Sequence, residues 1–131
     1  MDTRLIVPAE ALRLAFGLTA TLAGLDKFFN ILADWGGYVS PLAAQMLPFS
    51  VGTFMAIVGI IEIAAGATVL FVSPRIGAYV VSAWLLLIAA NLVLGGFFDI
   101  AVRDIVMAIG AFTLARLVEV QADAPARRIA A

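Results

Sequence analysis

Eight polar side chains within or at the ends of the long apolar runs bound the chemistry open to the chain: Arg13, Asp26, Lys27, Glu62, Asn91, Asp99, Arg103 and Asp104. Glu62 is the sharpest of them, because it lies near the middle of the apolar run from Val51 to Phe71. Such a run is long enough to cross a bilayer core, which takes roughly 20 apolar residues. A carboxylate at that depth needs a cation, a proton or a water-filled cavity to be tolerated. Two kinds of chemistry follow. A protonatable Glu62 can accept a quinol proton or hydrogen-bond a ligand head group, or a paired network of charges can do no more than fix the register of packed helices. Among the eight, three cations face four carboxylates, and Asn91 adds a neutral donor and acceptor. No residue is assignable as catalytic.

The elements that position these groups follow from composition. The chain has 131 residues, 64% hydrophobic and 13% charged, against about 25% charged in ordinary soluble domains. This is the composition of an integral membrane protein, with room for four spans and short connections. There is no Cys and no His. Disulfides, thiolate metal sites, bis-His haem, the usual zinc sites and a His general base are thereby excluded, and no metal site is expected. A net charge of −1 gives no reason to expect a nucleic-acid partner. The first apolar run is too long for the core of a cleaved signal peptide and is read as a retained span.

Spans are expected at about 8–31, 50–72, 76–94 and 99–120, followed by a polar, irregular tail at 121–131. On the first, Arg13, Gly17, Ala20, Gly24 and Lys27 share a face, with small residues that admit a neighbouring helix. On the second, Gly52, Gly59, Glu62 and Gly66 do the same. On the third, Gly77, Val81, Trp84, Ile88 and Asn91 form a face. Trp35, Tyr38, Phe28, Phe29, Phe97 and Phe98 read as interfacial belt aromatics, and Pro41–Leu47 as a short interfacial helix. Arg4, Arg75, Arg116, Arg127 and Arg128 all lie at the N-terminus, the second connection or the C-terminus. The positive-inside rule then gives an all-α, integral membrane four-helix bundle with N- and C-termini cytoplasmic. In that arrangement Asp26, Lys27, Asn91, Asp99, Arg103 and Asp104 gather toward the opposite end. Glu62 is expected roughly 21 Å below Pro48, at about 1.5 Å per residue, with Arg13 approaching from the cytoplasmic side.

Three stretches carry a resemblance: Arg13-Leu-Ala-Phe-Gly17 with Gly24-Leu-Asp-Lys27-Phe28, then Glu62 with Gly66, then Arg103-Asp104-Ile105. From Arg13 to about Leu117 the chain resembles the DoxX-like family of small four-helix bacterial membrane proteins. Members of that family include the membrane subunit of a thiosulfate:quinone oxidoreductase and components of oxidative-stress complexes. The resemblance implies a shared polar core of Arg13, Lys27, Glu62, Arg103 and Asp104 in a bacterial inner membrane. The expected function is a membrane anchor or quinone-side subunit of a redox assembly, with a quinone as ligand. Its expected partners are the lipid bilayer, a soluble redox protein and further copies of the chain. The alternative is a non-catalytic assembly protein whose buried charges only stabilise the bundle. A solute or proton pathway is a third reading, disfavoured by four short spans without a detectable inverted repeat.

Overall fold

The computed structural model describes residues 3–130, with side chains as far as Ala122. Four long helices form the body: α1 (Ile6–Asp26), α3 (Val51–Ala67), α4 (Pro74–Leu94) and α5 (Phe98–Ala130), with a short α2 (Pro41–Met46) between the first two. No strand occurs among the described residues. The segments Thr3–Asp26, Val51–Val72, Pro74–Leu94 and Phe98–Ala122 are each long and apolar enough to cross a membrane. The helices start and stop within a few residues of the limits expected for the first three spans, except that α1 ends at Asp26 rather than Ile31. The backbone of α5 stays helical to Ala130, where an irregular tail was expected. Arg127 and Arg128 lie beyond the described side chains.

Local chemistry sets the helix ends. Ser40, Ser50 and Ser73 cap α2, α3 and α4, each hydroxyl accepting from the backbone N–H three residues on. Such caps satisfy donors that a helix start leaves without a partner. At the end of α4, Phe97 N–H donates to the Leu92 carbonyl and Gly96 N–H to that of Val93. Gly96 has φ +84°, the left-handed geometry that this C-terminal motif needs. The end of α3 widens into a π-helical stretch, Thr68–Val72. The carbonyl of Leu70 within it accepts from Arg13 Nη1 at 2.7 Å.

Helices α1 and α3 pack antiparallel through their glycines. A Cβ on Gly24 would stand 2.6 Å from the Gly59 carbonyl, and one on Gly66 would stand 2.7 Å from that of Gly17. Only glycine allows these backbones to approach so closely. The expected glycine faces are therefore present, although Gly52 is exposed and takes no part. Helices α4 and α5 form the second antiparallel pair, tied by Ser82 Oγ donating to the Ala108 carbonyl and by Tyr79 against Phe112. Ala65, Val69, Ala78, Val81, Ala111, Leu114 and Ala115 close the core between the pairs. Below, the "upper" end of the bundle is the one bearing residues 27–50 and the α4–α5 turn.

Candidate functional site

Above that apolar core lies a polar cluster. Lys27, the chain's one lysine, donates from Nζ to Glu62 Oε2 at 2.9 Å, and the two side chains are only 6% and 8% exposed. The same ammonium donates to the Ala23 carbonyl at 3.3 Å and lies 3.9 Å from the centroid of the Trp35 ring. The other oxygen of Glu62, Oε1, accepts from Trp84 Nε1 at 3.3 Å. Both carboxylate oxygens are thus engaged, one by a cation and one by an indole. An aromatic face over an ammonium adds attraction where water is excluded.

This geometry comes from three helices. Gly24 and Gly59 bring α1 and α3 close enough for Lys27, at the C-terminal end of α1, to reach across one turn to Glu62. Trp84 sits on the inward face of α4 predicted from its spacing with Val81 and Asn91. Depth is where expectation and structure part. Lys27 lies level with Gly59, since a Cβ there would meet Lys27 Cβ at 3.3 Å. It was expected near the upper end of the bundle, well above Glu62. The Gly24–Gly59 contact sets how far α1 slides along α3, and α1 then ends early: Asp26 turns its side chain back on the chain, accepting from the N–H groups of Ile31 and Leu32 at 3.0 and 2.8 Å. It accepts from Trp35 Nε1 as well, at 2.9 Å.

Other candidates separate from this cluster. Arg13 does not reach Glu62; besides Leu70 it bonds Glu10 at 2.8 Å, toward the lower end. Arg103 is directed outward, its side chain 67% exposed, because Ala101, Asp104 and Ala108 occupy the inward face of α5. Among the described residues no ion pair joins it to Glu62, its partner in the polar core that the resemblance implies. Asp99 is exposed in the first turn of α5. Asn91 anchors the connection after α1, accepting from Ser40 N–H at 2.9 Å and donating to the Tyr38 carbonyl at 2.8 Å. Asp26 and Asn91 are thus residues that fold the connection rather than parts of the Glu62 cluster.

Asp104 is the remaining buried carboxylate. Among the described residues its one ion-pair contact is Arg103 Nε at 3.9 Å, too long for a hydrogen bond. Trp84 and Trp35 are the residues that sequence reasoning missed as partners of the charges. The signal was available for Trp84, which falls on the inward face of its helix. Trp35 carried a belt signature, but its indole is turned inward onto Lys27 and Asp26.

Two of the cavities among the described residues lie away from this cluster. One of about 230 Å³ at the lower end borders Glu10, Arg13, Leu114 and Gln121. The other, of about 290 Å³, is an apolar groove between α3 and α4 at Ile61, Ala65 and Val80. Neither is lined by Glu62 or Lys27. No group of three or more His, Cys, Asp or Glu side chains suited to a metal ion occurs among the described residues. Comparison with family models, with curated proteins and with solved structures finds no match to this chain.

Proposed function

We propose that this chain is a multi-pass membrane subunit of the DoxX-like kind, an anchor or assembly component of a redox complex in a bacterial inner membrane. Its termini face the cytoplasm, and Lys27 and Glu62 serve as an interhelical brace. The observation that carries this reading is the full engagement of Glu62: a lysine on one oxygen and an indole on the other, with the ion pair's side chains only 6% and 8% exposed. A carboxylate poised to take a proton or a head group needs an approach to it, and this one is closed by its own partners. Buried pairs of this kind hold register between helices. Soluble redox chemistry would then reside in a partner protein docked on the anchor.

Asp104 favours a second reading, a quinone-side subunit. Its carboxylate is buried, and among the described residues no hydrogen bond is made to it. That leaves an acceptor for a ligand hydroxyl. The two readings separate in one experiment, quinone binding by purified protein with and without Glu62→Gln and Asp104→Asn. The brace reading expects Glu62→Gln to lower stability without removing a ligand. Quinone binding that is abolished by Asp104→Asn in a folded protein would favour the second reading instead.

A further inference from the structure

The connection between α1 and α3 opens with large apolar side chains turned outward and the Asp26 carboxylate turned inward; of its exposed polar residues, Asn30 accepts from Trp35 N–H at 3.4 Å, and Asp34 and Gln45 lie further along. At its start, α1 ends level with Gly59, while α3 continues upward from there to Val51. At about 1.5 Å per residue, the stretch from Val58 to Val51 rises about 10 Å beyond the end of α1. The chain regains that height by Gly36, where a Cβ would meet Val51 Cγ1 at 3.3 Å. Residues 28–32 therefore climb beside the first turns of α3, in the corner of the bundle that α1 has vacated.

Every backbone N–H from Lys27 to Leu32 donates within the chain. Those of Lys27, Phe28, Phe29 and Asn30 go to the carbonyls of Gly24, Leu25 and Asp26, and those of Ile31 and Leu32 to the Asp26 side chain. Phe29, Ile31 and Leu32 are nevertheless 62%, 80% and 69% exposed. Leu42 and Met46, one turn apart on α2, are exposed as well. A turn in water has no need to satisfy each amide internally, and it gains nothing by presenting large apolar side chains. In hydrocarbon both features are favourable, since an amide N–H without a partner at membrane depth is costly and apolar side chains lie at home there. The outward side chains also continue the apolar outer surface of the four spans.

We propose that residues 28–32 form a re-entrant limb in contact with lipid acyl chains, with α2 lying at the bilayer interface, so that Lys27 and Glu62 are enclosed at membrane depth. This rests on the membrane reading above. Asp34, exposed and adjacent to the limb's upper end, marks its return to the polar edge.

The chain has no Cys, so single cysteines test the limb directly. Ile31→Cys, Leu32→Cys and Asp34→Cys would be compared with Leu87→Cys and Val106→Cys, exposed positions inside spans. The purified variants are placed in phosphatidylcholine/phosphatidylglycerol vesicles, with a water-soluble maleimide on both faces. Positions 31 and 32 are expected to react at least about tenfold more slowly than 34, as 87 and 106 do, because the reactive thiolate does not form in hydrocarbon. Reaction at 31 and 32 as fast as at 34, with 87 and 106 protected, would overturn the limb while leaving the membrane reading intact. Fast reaction at all five positions would overturn the membrane reading itself. Protection of 31 and 32 in native membranes but not in these vesicles would identify a protein cover and also defeat the proposal.

Discussion

Removing Glu62 should destabilise the bundle far more than removing any exposed charge. In Glu62→Ala the Lys27 ammonium keeps only the Ala23 carbonyl and the Trp35 ring, in a site where its side chain is 6% exposed. Truncating one partner of a buried ion pair costs about 3–5 kcal/mol, because the other charge is left uncompensated. Lys27→Met should cost a similar amount, leaving Glu62 with Trp84 alone. The combination Lys27→Met/Glu62→Leu removes both charges and fills the space with apolar atoms, so it should recover most of the loss. The coupling between the two sites should then be about 2 kcal/mol or more. Both tryptophans of the chain touch the pair, so equilibrium unfolding in mixed micelles can be followed by intrinsic fluorescence, with helicity by circular dichroism as the independent signal. Single losses below about 1 kcal/mol, the range of exposed pairs, or strictly additive losses in the double variant, would refute the brace.

Further expectations follow from the same geometry. Gly24→Ala would drive a Cβ into the Gly59 carbonyl at 2.6 Å, an overpacking that should cost about 1–3 kcal/mol in thermal or denaturant unfolding. Gly52→Ala has only Ser50 Oγ near, at 4.0 Å, and should be neutral or stabilising by up to about 1 kcal/mol through helix propensity. Asn91→Ala strips two hydrogen bonds from the connection. A loss of about 1–3 kcal/mol, with faster amide exchange at residues 38–46, is the expected readout. Asp104→Asn removes a buried charge whose one ion-pair contact among the described residues is long; it should leave stability within about 0.5 kcal/mol of the parent or raise it.

The four long helices were legible because hydropathy and length alone define them, and the glycine faces because helical spacing puts Gly17 with Gly24 and Gly59 with Gly66. Pairing between Lys27 and Glu62 was within the candidate set. Its depth was not, because depth depends on how far α1 slides along α3, and an apolar run carries no information on slide. The run Phe28–Ile31 looked like more helix. Asp26 ends α1 by taking amide protons that a further turn would have used, a side-chain-to-backbone competition that hydropathy does not register. Arg103 belongs to the polar core only through the resemblance. The alanines of α5 and Asp104 claimed the inward face, and the long side chain was left outside. Trp35 shows the same limit, since an aromatic near a span end fits the belt and the lid over Lys27 equally well from sequence.

A lipid-reconstituted sample labelled with 15N-lysine has a single side-chain signal, because Lys27 is the one lysine. Its dipolar coupling to the 13C-labelled Glu62 carboxylate tests the sealed brace most directly. The brace predicts a strong coupling matching the 2.9 Å contact, lost in Glu62→Gln, with slow exchange of the ammonium protons with water. A weak coupling with fast exchange would mean that Glu62 is open to a ligand or to solvent, and would contradict the account.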